Sequence, residues 1–594
     1  LMPSPDGRPS FTVRLQEIGR SPAVTGERRG MVLDGRVDLA AGAATLKLLN
    51  ISFDAWPAES VPSQFRNLWR RLAVQGAVRQ TVFNYSQQAG LSVSVSLDDV
   101  ALTVPVPSER ESDDDGFLSL HSVKGSIDLS NTGLEADLSG KIEQQDGLSQ
   151  VKLKTRGLDF SSGFRCEITG RDINVTEQPT FLPYVPPIVR QYLTWFGGPT
   201  AVVDASVVIA RGDPVDGQPA EVTVPEGRLT FQNGRAAFHK FPYPFHDMAG
   251  EVTFDDTTIR IVRITGVGPK GSPLRATALI TPLTENAQVD VKVDVDDVPV
   301  DEELLAAMQP TYRRLMQVLF AKEQYDALVA KGLVRDPSAA PGAETPSGAT
   351  PFEFGGRGRV HVHLERPPGD GVEWSTKIGV EFERAGLVPE PFPFPIEARD
   401  LAIEVNDERT ILKGGRFSGL HGGTAEVAAT VRFGTSAADP VDPEVRITST
   451  DVPVDELLLN AVPGEEPAAG DPGARLNAKG ILRRLDLRGH VDCEVILSAA
   501  KEAPLAPQMV GPLPLPSVSY AVEVQLGKMT AAPAASLAVD AAGDSELCIR
   551  ELAGSVRVTE GHVSIDNLRA GLGRFDTAKA GRGETHSAAT PAVA

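Results

Sequence analysis

One sequence unit occurs four times in this chain of 594 residues, and it constrains the fold more than any single residue does. Each copy has a central position that is usually glycine, apolar residues two and four places later, four turn residues, and then two more positions that are mostly apolar. Repeats that stack on one another build elongated structures. The copies are Gly125 with Ile127, Leu129, Leu134 and Ala136; Gly250 with Val252, Phe254, Ile259 and Ile261; Leu401 with Ile403, Val405, Thr410 and Leu412; and Gly554 with Val556, Val558, Val563 and Ile565.

Two landmarks accompany the unit. A Pro-X-Pro sequence precedes each hairpin, at positions 105–107, 242–244, 393–395 and 514–516. Downstream, Asp-Ile/Val-X-Val begins 47 residues after the glycine position (125 to 172), again 47 (250 to 297) and then 50 (401 to 451). This spacing predicts a long repetitive β protein whose function lies in a continuous surface.

The charge balance and the cysteines exclude some classes of function. Lys and Arg number 58 against 79 Asp and Glu, which gives a formal net charge of −21. Because an acidic surface repels phosphate backbones, we predict no nucleic-acid partner. Cys166, Cys493 and Cys548 are far apart, which argues against a disulfide framework or a zinc site. We expect Cys493 and Cys548 to lie in strands.

The sequence has neither a run of about 18 apolar residues nor the apolar centre of a signal peptide at its start. Strand-like sequence begins almost at once, at Phe11. We therefore expect the chain to be a piece of a longer protein whose N-terminal targeting or anchoring segment is absent.

Most of the chain alternates apolar and polar residues, as in Leu91–Leu97 and Val289–Val295. This period of two predicts antiparallel sheet with one apolar and one wet face. Turn residues at Asn131–Gly133, Asp255–Asp256 and Asn406–Asp407 favour hairpin connections.

Helical pattern is confined to Phe65–Leu72, Ile188–Trp195 and Leu304–Leu319, the last interrupted by Pro310. The second and third of these follow the Asp landmark, which predicts a helix at a fixed place in the repeat. Flexible segments are predicted at 107–116, 336–351, 463–473 and 576–594.

Few residues indicate chemistry. His361 and His363 would lie on one side of a strand, with Glu365 the nearest further metal ligand, and we interpret them as a solvated strand face. No phosphate loop, Gly-X-Ser-X-Gly or HExxH motif occurs, although a Ser-His-Asp triad built in space stays open. We predict no enzymatic activity, no cofactor and no metal.

The apolar stripe of the hairpins has two interpretations. Another sheet could cover it as a sandwich core, because alternation does not reveal what lies against the apolar side. Serial long repeats instead favour an extended, curled sheet whose apolar face is a lining. The predicted lining residues are Ile127, Leu129, Leu134, Val252, Phe254, Ile259, Ile261, Ile403, Val405, Leu412, Val556, Val558, Val563 and Ile565.

Three sequences in chain order carry a family resemblance: FPYPF at 241–245, MAGEV at 248–252 and DVPVDEELL at 297–305. In this the chain resembles the AsmA-like and TamB-like envelope proteins. The resemblance implies a repeating β-groove, a long antiparallel U-shaped sheet with an apolar trough and a few short amphipathic helices. It also implies bridge-like transfer of phospholipid or other acyl lipids between the inner and outer membranes of a Gram-negative-type envelope. The sequence indicates no small-molecule substrate. Members are periplasmic and anchored in the inner membrane by an N-terminal helix, which this chain lacks.

The expected organisation is an N-terminal β-groove segment (1–106), repeat units at 107–240, 241–390 and 391–512, a partial unit at 513–575 and a disordered tail at 576–594. Two other classes stay open. A structural or adhesive extracytoplasmic β-solenoid would bind no lipid, and a carbohydrate-active β protein would need clustered acidic and aromatic residues, for which only four Trp are present.

Overall fold

The computed structural model describes most of the chain, as a series of ranges with gaps. Contacts divide it into two units, Leu1–Lys292 with Glu365–Glu373, and Val293–Leu364 with Trp374–Ala594. The unit boundary falls inside the predicted repeat 241–390, and the repeat boundaries themselves remain predictions. The described residues are 2–3, 10–16, 31–52, 73–105, 117–131, 133–144, 147–156, 163–175, 193–213, 220–239, 241–284, 286–337, 349–390, 392–432, 442–462, 487–499, 518–531, 545–559 and 562–576.

The first unit consists of strands that pair antiparallel with their neighbours in chain order, from β1 with β2 through to β14 with β15. The strands are β1 (Met2–Pro3), β2 (Ser10–Gln16), β3 (Val32–Asp38), β4 (Ala43–Ser52), β5 (Gln75–Ser86), β6 (Gly90–Pro105), β7 (Phe117–Ser130), β8 (Gly133–Gln144), β9 (Gly147–Arg156), β10 (Phe164–Val175), β11 (Thr200–Arg211), β12 (Val222–Phe238), β13 (Phe241–Phe254), β14 (Ile259–Val267) and β15 (Pro273–Thr281).

The second unit contains further antiparallel strands and the longer helices, and β16 and β19 each include the unit boundary. The strands are β16 (Gln288–Pro299), β17 (Val334–Arg335), β18 (Thr350–Pro351), β19 (Gly355–Arg366), β20 (Ser375–Leu387), β21 (Ile396–Asn406), β22 (Arg409–Lys413), β23 (Arg416–Gly419), β24 (Thr424–Arg432), β25 (Asp442–Pro453), β26 (Leu487–Ala499), β27 (Val518–Ala531), β28 (Ser545–Thr559) and β29 (His562–Asp576). The helices are α1 (Glu302–Ala307), α2 (Pro310–Leu319), α3 (Lys322–Ala330) and α4 (Glu456–Ala461).

The predicted fold class is confirmed: the described residues form a mainly antiparallel sheet of 27 strands, with β17 and β18 as a separate short parallel pair. Cys493 and Cys548 lie in strands, as expected. One prediction of flexibility is wrong in part, because Thr350 and Pro351 form β18. Asp576 likewise ends β29. The remaining predicted flexible residues lie mostly outside the described ranges, as do the predicted helix at 65–72 and most of 188–195.

The strands on either side of each of the three predicted turns pair as hairpins. The carboxylate of Asp255 accepts hydrogen bonds from Thr257 N and Thr258 N at 2.8 and 2.9 Å, and from the Thr257 hydroxyl at 2.8 Å. The hydroxyl bond contributes most to lowering the pKa of Asp255. Asn406 Oδ1 accepts from the backbone N–H groups of Glu408 and Arg409 in the same way. Such Asx contacts replace backbone bonds that the turn cannot make.

A recurrent bulge runs through both units. An Asp, Asn or Ser in the left-handed region interrupts many strands, and an apolar residue usually follows it. Because the bulge adds one residue, the inward positions on either side of it are three apart, as with Leu97 and Val100 around Asp99. Residues of this kind are Asn50, Asp99, Ser122, Asp172, Asn233, Asp247, Asp297, Asp400, Asp451 and Asn567.

The bulge corrects the alignment of the third repeat. Ser122 and Asp247 lie three residues before Gly125 and Gly250, so Asp400 places Ile403, and not Leu401, at the glycine position. The alignment then reads Asp-Met-Ala-Gly-Glu-Val against Asp-Leu-Ala-Ile-Glu-Val. From the bulge to the landmark Asp the distances become 50 (122 to 172), 50 (247 to 297) and 51 (400 to 451).

The Pro-X-Pro landmark buries its central side chain where the structure describes it. Positions 242–244 lie inside β13, whereas 393–395 lie just before β21. Tyr243 and Phe394 are both buried. The landmark therefore contributes an anchor to the core as well as marking the approach to a hairpin.

Helices recur after the Asp landmark in the second unit, as the sequence predicts. Asp301 Oδ1 accepts from Leu304 N and Asp455 Oδ1 from Leu458 N, each at 2.9 Å, so both helices begin with the same cap. The predicted helical segment Leu304–Leu319 corresponds to α1 and α2, whereas α3 was not predicted. The sequence predicted α4 only as a recurrence after the landmark, without naming its residues. The shared sequence Asp-Val-Pro-Val-Asp-Glu was a sufficient signal for α4.

Candidate functional site

One face of the first unit carries an unbroken row of uncharged side chains across ten consecutive strands. Directly paired residues connect each strand to the next, and two Thr and one Cys are its only members with a polar group. Burial raises the pKa of Cys166, which keeps this thiol neutral. From β2 to β11 the row is Leu15, Leu33, Leu48, Thr81, Val95, Ile127, Ala136, Thr155, Cys166 and Ile209.

Exposure of this face rises from the bulges toward the hairpin turns. Beside the bulges, Val100 and Val123 are 1% and 3% exposed. Near the turns, Leu129 is 48% exposed and Leu91 is 55% exposed. Leu129 belongs to a second apolar row on the same face: Val13, Gly35, Leu46, Phe83, Val93, Leu129 and Leu134. The turn-side half of the face is therefore open to solvent.

The strands around the second hairpin repeat this arrangement. Phe231 and Phe254 pair with Gly250 and Gly227, and each ring lies over the glycine where a Cβ would otherwise stand. This packing gives the face a flat apolar surface with half-buried side chains. From β11 to β15 the two rows are Ala205, Leu229, Val252, Ile261 and Ala278, and Val207, Gly227, Phe254, Ile259 and Ile280.

The opposite face of the same strands is polar. Arg228 Nε lies 3.1 Å from Glu251 Oε1, and Lys154 Nζ lies 3.3 Å from Asp137 Oδ2. Both pairs are largely exposed, so they contribute little to stability. These ion pairs lie on the polar side of the sheet. The apolar side has a charged group at the end of β11, where Arg211 pairs directly with Phe164 and its guanidinium lies over the phenylalanine ring.

In the third hairpin, the predicted residues pair as expected but are more deeply covered. Ile403 pairs with Leu412 and Val405 with Thr410. Ile403 is buried within a cluster that includes Met316 and Phe320 near the end of α2, while Val405 and Leu412 are half-buried at its edge.

In the last hairpin, Val556 pairs with Ile565 and Val558 with Val563. Val556 is half-buried. The side chains of Val558, Val563 and Ile565 lie outside the described part of the structure.

The predicted lining left out the residues of the strands between the repeated hairpins. Phe83, Tyr85 and Leu91 extend the apolar face, and Tyr85 and Leu91 face each other directly across β5 and β6. Leu229 and Ile280 extend the apolar face beside the second hairpin, where they pair with Val252 and Ile259. Their alternation was visible in the sequence, but they lie outside the motif that defined the repeat.

The other candidate residues take part in structural contacts. His361 Nδ1 lies 2.5 Å from Asp294 Oδ1, and His361 Nε2 lies 4.0 Å from Glu381 Oε2. Within the described ranges, no group of three or more His, Cys, Asp or Glu side chains is placed to hold a metal ion.

A hydroxyl–imidazole–carboxylate chain joins Thr350, His421 and Asp455. Thr350 Oγ1 lies 2.8 Å from His421 Nε2, and His421 Nδ1 lies 2.5 Å from Asp455 Oδ2. Asp455 is also the residue that caps α4. We interpret this chain of contacts as a structural connection between β18, the β23–β24 turn and α4.

Comparison with known proteins does not assign the chain to a family. No family model matches it, and neither the curated proteins nor the solved structures give a significant match. Among the described residues, no helix has the length and apolar character needed to cross a membrane.

Proposed function

We propose that this protein holds the acyl chains of phospholipids on the apolar face of its sheet and carries them between membranes. The supporting observation is the row of directly paired, uncharged and mostly apolar residues from β2 to β11, bordered by large side chains that stay half exposed. Contiguous apolar surface in water marks a binding site or an aggregation hazard. An acyl chain would cover it and gain about 0.8 kcal/mol for each buried CH₂.

The rows also suit movement along the sheet. Neighbouring strands present chemically similar aliphatic groups at the same level, so successive positions would bind an acyl chain with similar free energy. A ligand that binds equivalent positions with similar free energy is not trapped at any one of them and can move to the next. Charged head groups would remain in solvent beside the exposed turn-side half, since their burial is costly.

The finer assignment rests on the sequence resemblance. The protein would belong with the AsmA-like and TamB-like envelope proteins, whose U-shaped groove supplies a continuous apolar trough. It would act in the periplasm of a Gram-negative-type envelope, anchored in the inner membrane.

Native mass spectrometry and lipid extraction of gently purified protein test the proposal. We expect bound phospholipid, and uptake of fluorescent phospholipid by the delipidated chain. Protein that is purified free of lipid and also takes up no fluorescent phospholipid would contradict lipid carriage and favour a closed β-solenoid.

A further inference from the structure

A helical segment leaves the sheet of the second unit and packs against its apolar side. It begins after β16 and returns at β19, where Val300 N donates to Gly356 O at 3.0 Å. Because its two ends meet at neighbouring strands, the segment is an insertion that the sheet itself does not require. It contains α1, α2 and α3.

The apolar side of α2 and the residues after it enter a cluster with the sheet. Met316 and Phe320 are buried together with Phe382, Leu401 and Phe417 of β20, β21 and β23. These sheet residues lie beside the bulge at Asp400. The helical segment therefore covers the bulge-side half of the apolar face in this region.

Polar contacts hold the segment in place. Ala321 N donates to Val388 O at 3.0 Å, and Glu390 N donates to Val318 O at 2.8 Å. Arg314 Nη2 lies 2.8 Å from Glu390 Oε2. The partners of these bonds, Val388 and Glu390, follow β20 in the chain. Polar contacts therefore stabilise the position of the helical segment in addition to the burial of its apolar side.

The equivalent place in the second repeat differs. Met248 follows the bulge at Asp247 as Leu401 follows the bulge at Asp400. Met248 is half-buried, whereas Leu401 is 1% exposed. The same repeat position is thus partly accessible in the second repeat and buried in the third, and in the first repeat Val123 is also buried, at 3% exposure.

We propose that the helical segment is a built-in occupant of the apolar face, which excludes lipid from the bulge-side half of β20, β21 and β23. This inference rests on the proposed function: phospholipid binds the β11–β15 rows, and the place that an acyl chain would take beside Leu401 is filled by Met316 and Phe320. Lipid carriage is then restricted to defined stretches of the sheet.

Photocrosslinking of the full chain tests this directly. The protein is loaded with phosphatidylcholine that carries a diazirine on an acyl chain, irradiated, and digested for peptide mapping. We expect adducts on peptides that contain Met248–Ile261, and none on the residues of β20, β21 and β23 that pack against α2. Adducts of equal yield at Leu401–Ile403 would overturn the inference while leaving the proposed function intact. Absence of both adducts and lipid uptake would overturn the proposed function, and this inference with it.

A matched pair of cysteine variants gives a second measurement. Met248→Cys and Leu401→Cys are made after the three native cysteines are replaced, and maleimide labelling is followed with and without phosphatidylcholine. We expect lipid to slow the labelling of Met248→Cys severalfold, and Leu401→Cys to label slowly in both states. Fast labelling of Leu401→Cys that lipid suppresses would contradict a fixed helical cover.

Discussion

The β13–β14 and β21–β22 hairpins share a sequence pattern and a bulge, yet their apolar faces have different surroundings. In the first, Met248, Val252 and Phe254 are half-buried, and phenylalanine rings lie over glycines. In the second, Leu401 and Ile403 are buried in a cluster with α2 and the residue that follows it. The two repeats therefore share the same local backbone conformation but differ in what packs against their apolar faces. The contrast shows that the same repeat can present a half-exposed apolar surface or form part of a closed core.

The largest contrast is expected from a charge on each face. Ile403→Glu would place a carboxylate in a closed cluster and destabilise the second unit by about 3–5 kcal/mol. Val252→Glu can reach solvent, so we expect the fold to survive while phospholipid uptake is lost. Thermal unfolding and fluorescent lipid uptake measure the two effects. Thr253→Glu, on the polar face, is the control and should change neither the melting temperature nor the lipid uptake appreciably. Normal uptake by a folded Val252→Glu protein would contradict the proposal that this face binds lipid.

Truncation of the equivalent side chains should show the same contrast on a smaller scale. Leu401→Ala leaves a cavity in a packed cluster, with an expected cost of about 2–5 kcal/mol. Met248→Ala removes a half-buried side chain and should cost about 1 kcal/mol. Hydrogen exchange of peptides from each hairpin measures the loss locally. Equal losses at the two sites would mean that both faces are equally covered.

The bulges should respond alike in both regions. Valine tolerates the left-handed conformation poorly, so Asp247→Val and Asp400→Val should each destabilise by about 1–2 kcal/mol. Glycine adopts it freely, so Asp247→Gly and Asp400→Gly should retain nearly full stability. The melting temperatures of the four variants give the comparison. A large loss in a glycine variant would assign the Asp side chain, rather than its backbone conformation, as the important feature.

The smallest effects are expected from ion pairs. Arg314→Gln removes a partly exposed pair with Glu390 that helps hold the helical segment, and should cost about 1 kcal/mol or less. Arg228→Gln, on the solvated face beside Glu251, should cost only a few tenths. Urea titrations at low and high salt measure both. A loss at Arg228 that exceeds the loss at Arg314 would contradict this ranking.

The sequence by itself determined the strand pattern, the hairpin registers and the first helix. Val252 faces Ile261 and Ile127 faces Ala136 as predicted, because side-chain alternation and turn residues are local properties. Asp301 begins a helix for an equally local reason, since its side chain caps an N–H three residues away. The apolar residues of the motif share one face in the first two hairpins, whereas Ile403 of the third lies in a closed cluster. The motif did not indicate the residues of the intervening strands that extend this face.

Only the tertiary structure decided how the third repeat aligns with the other repeats, and what packs against each apolar face. A shift of two residues preserves alternation, so Leu401 and Ile403 fit the glycine position equally well until the conformation of Asp400 is known. Cover depends on segments distant in sequence, as where Phe320 packs in one cluster with Leu401. Apolar periodicity predicts that a side chain is removed from water. It does not show whether a helix, a second sheet or a lipid packs against that side chain, because this depends on the folded chain.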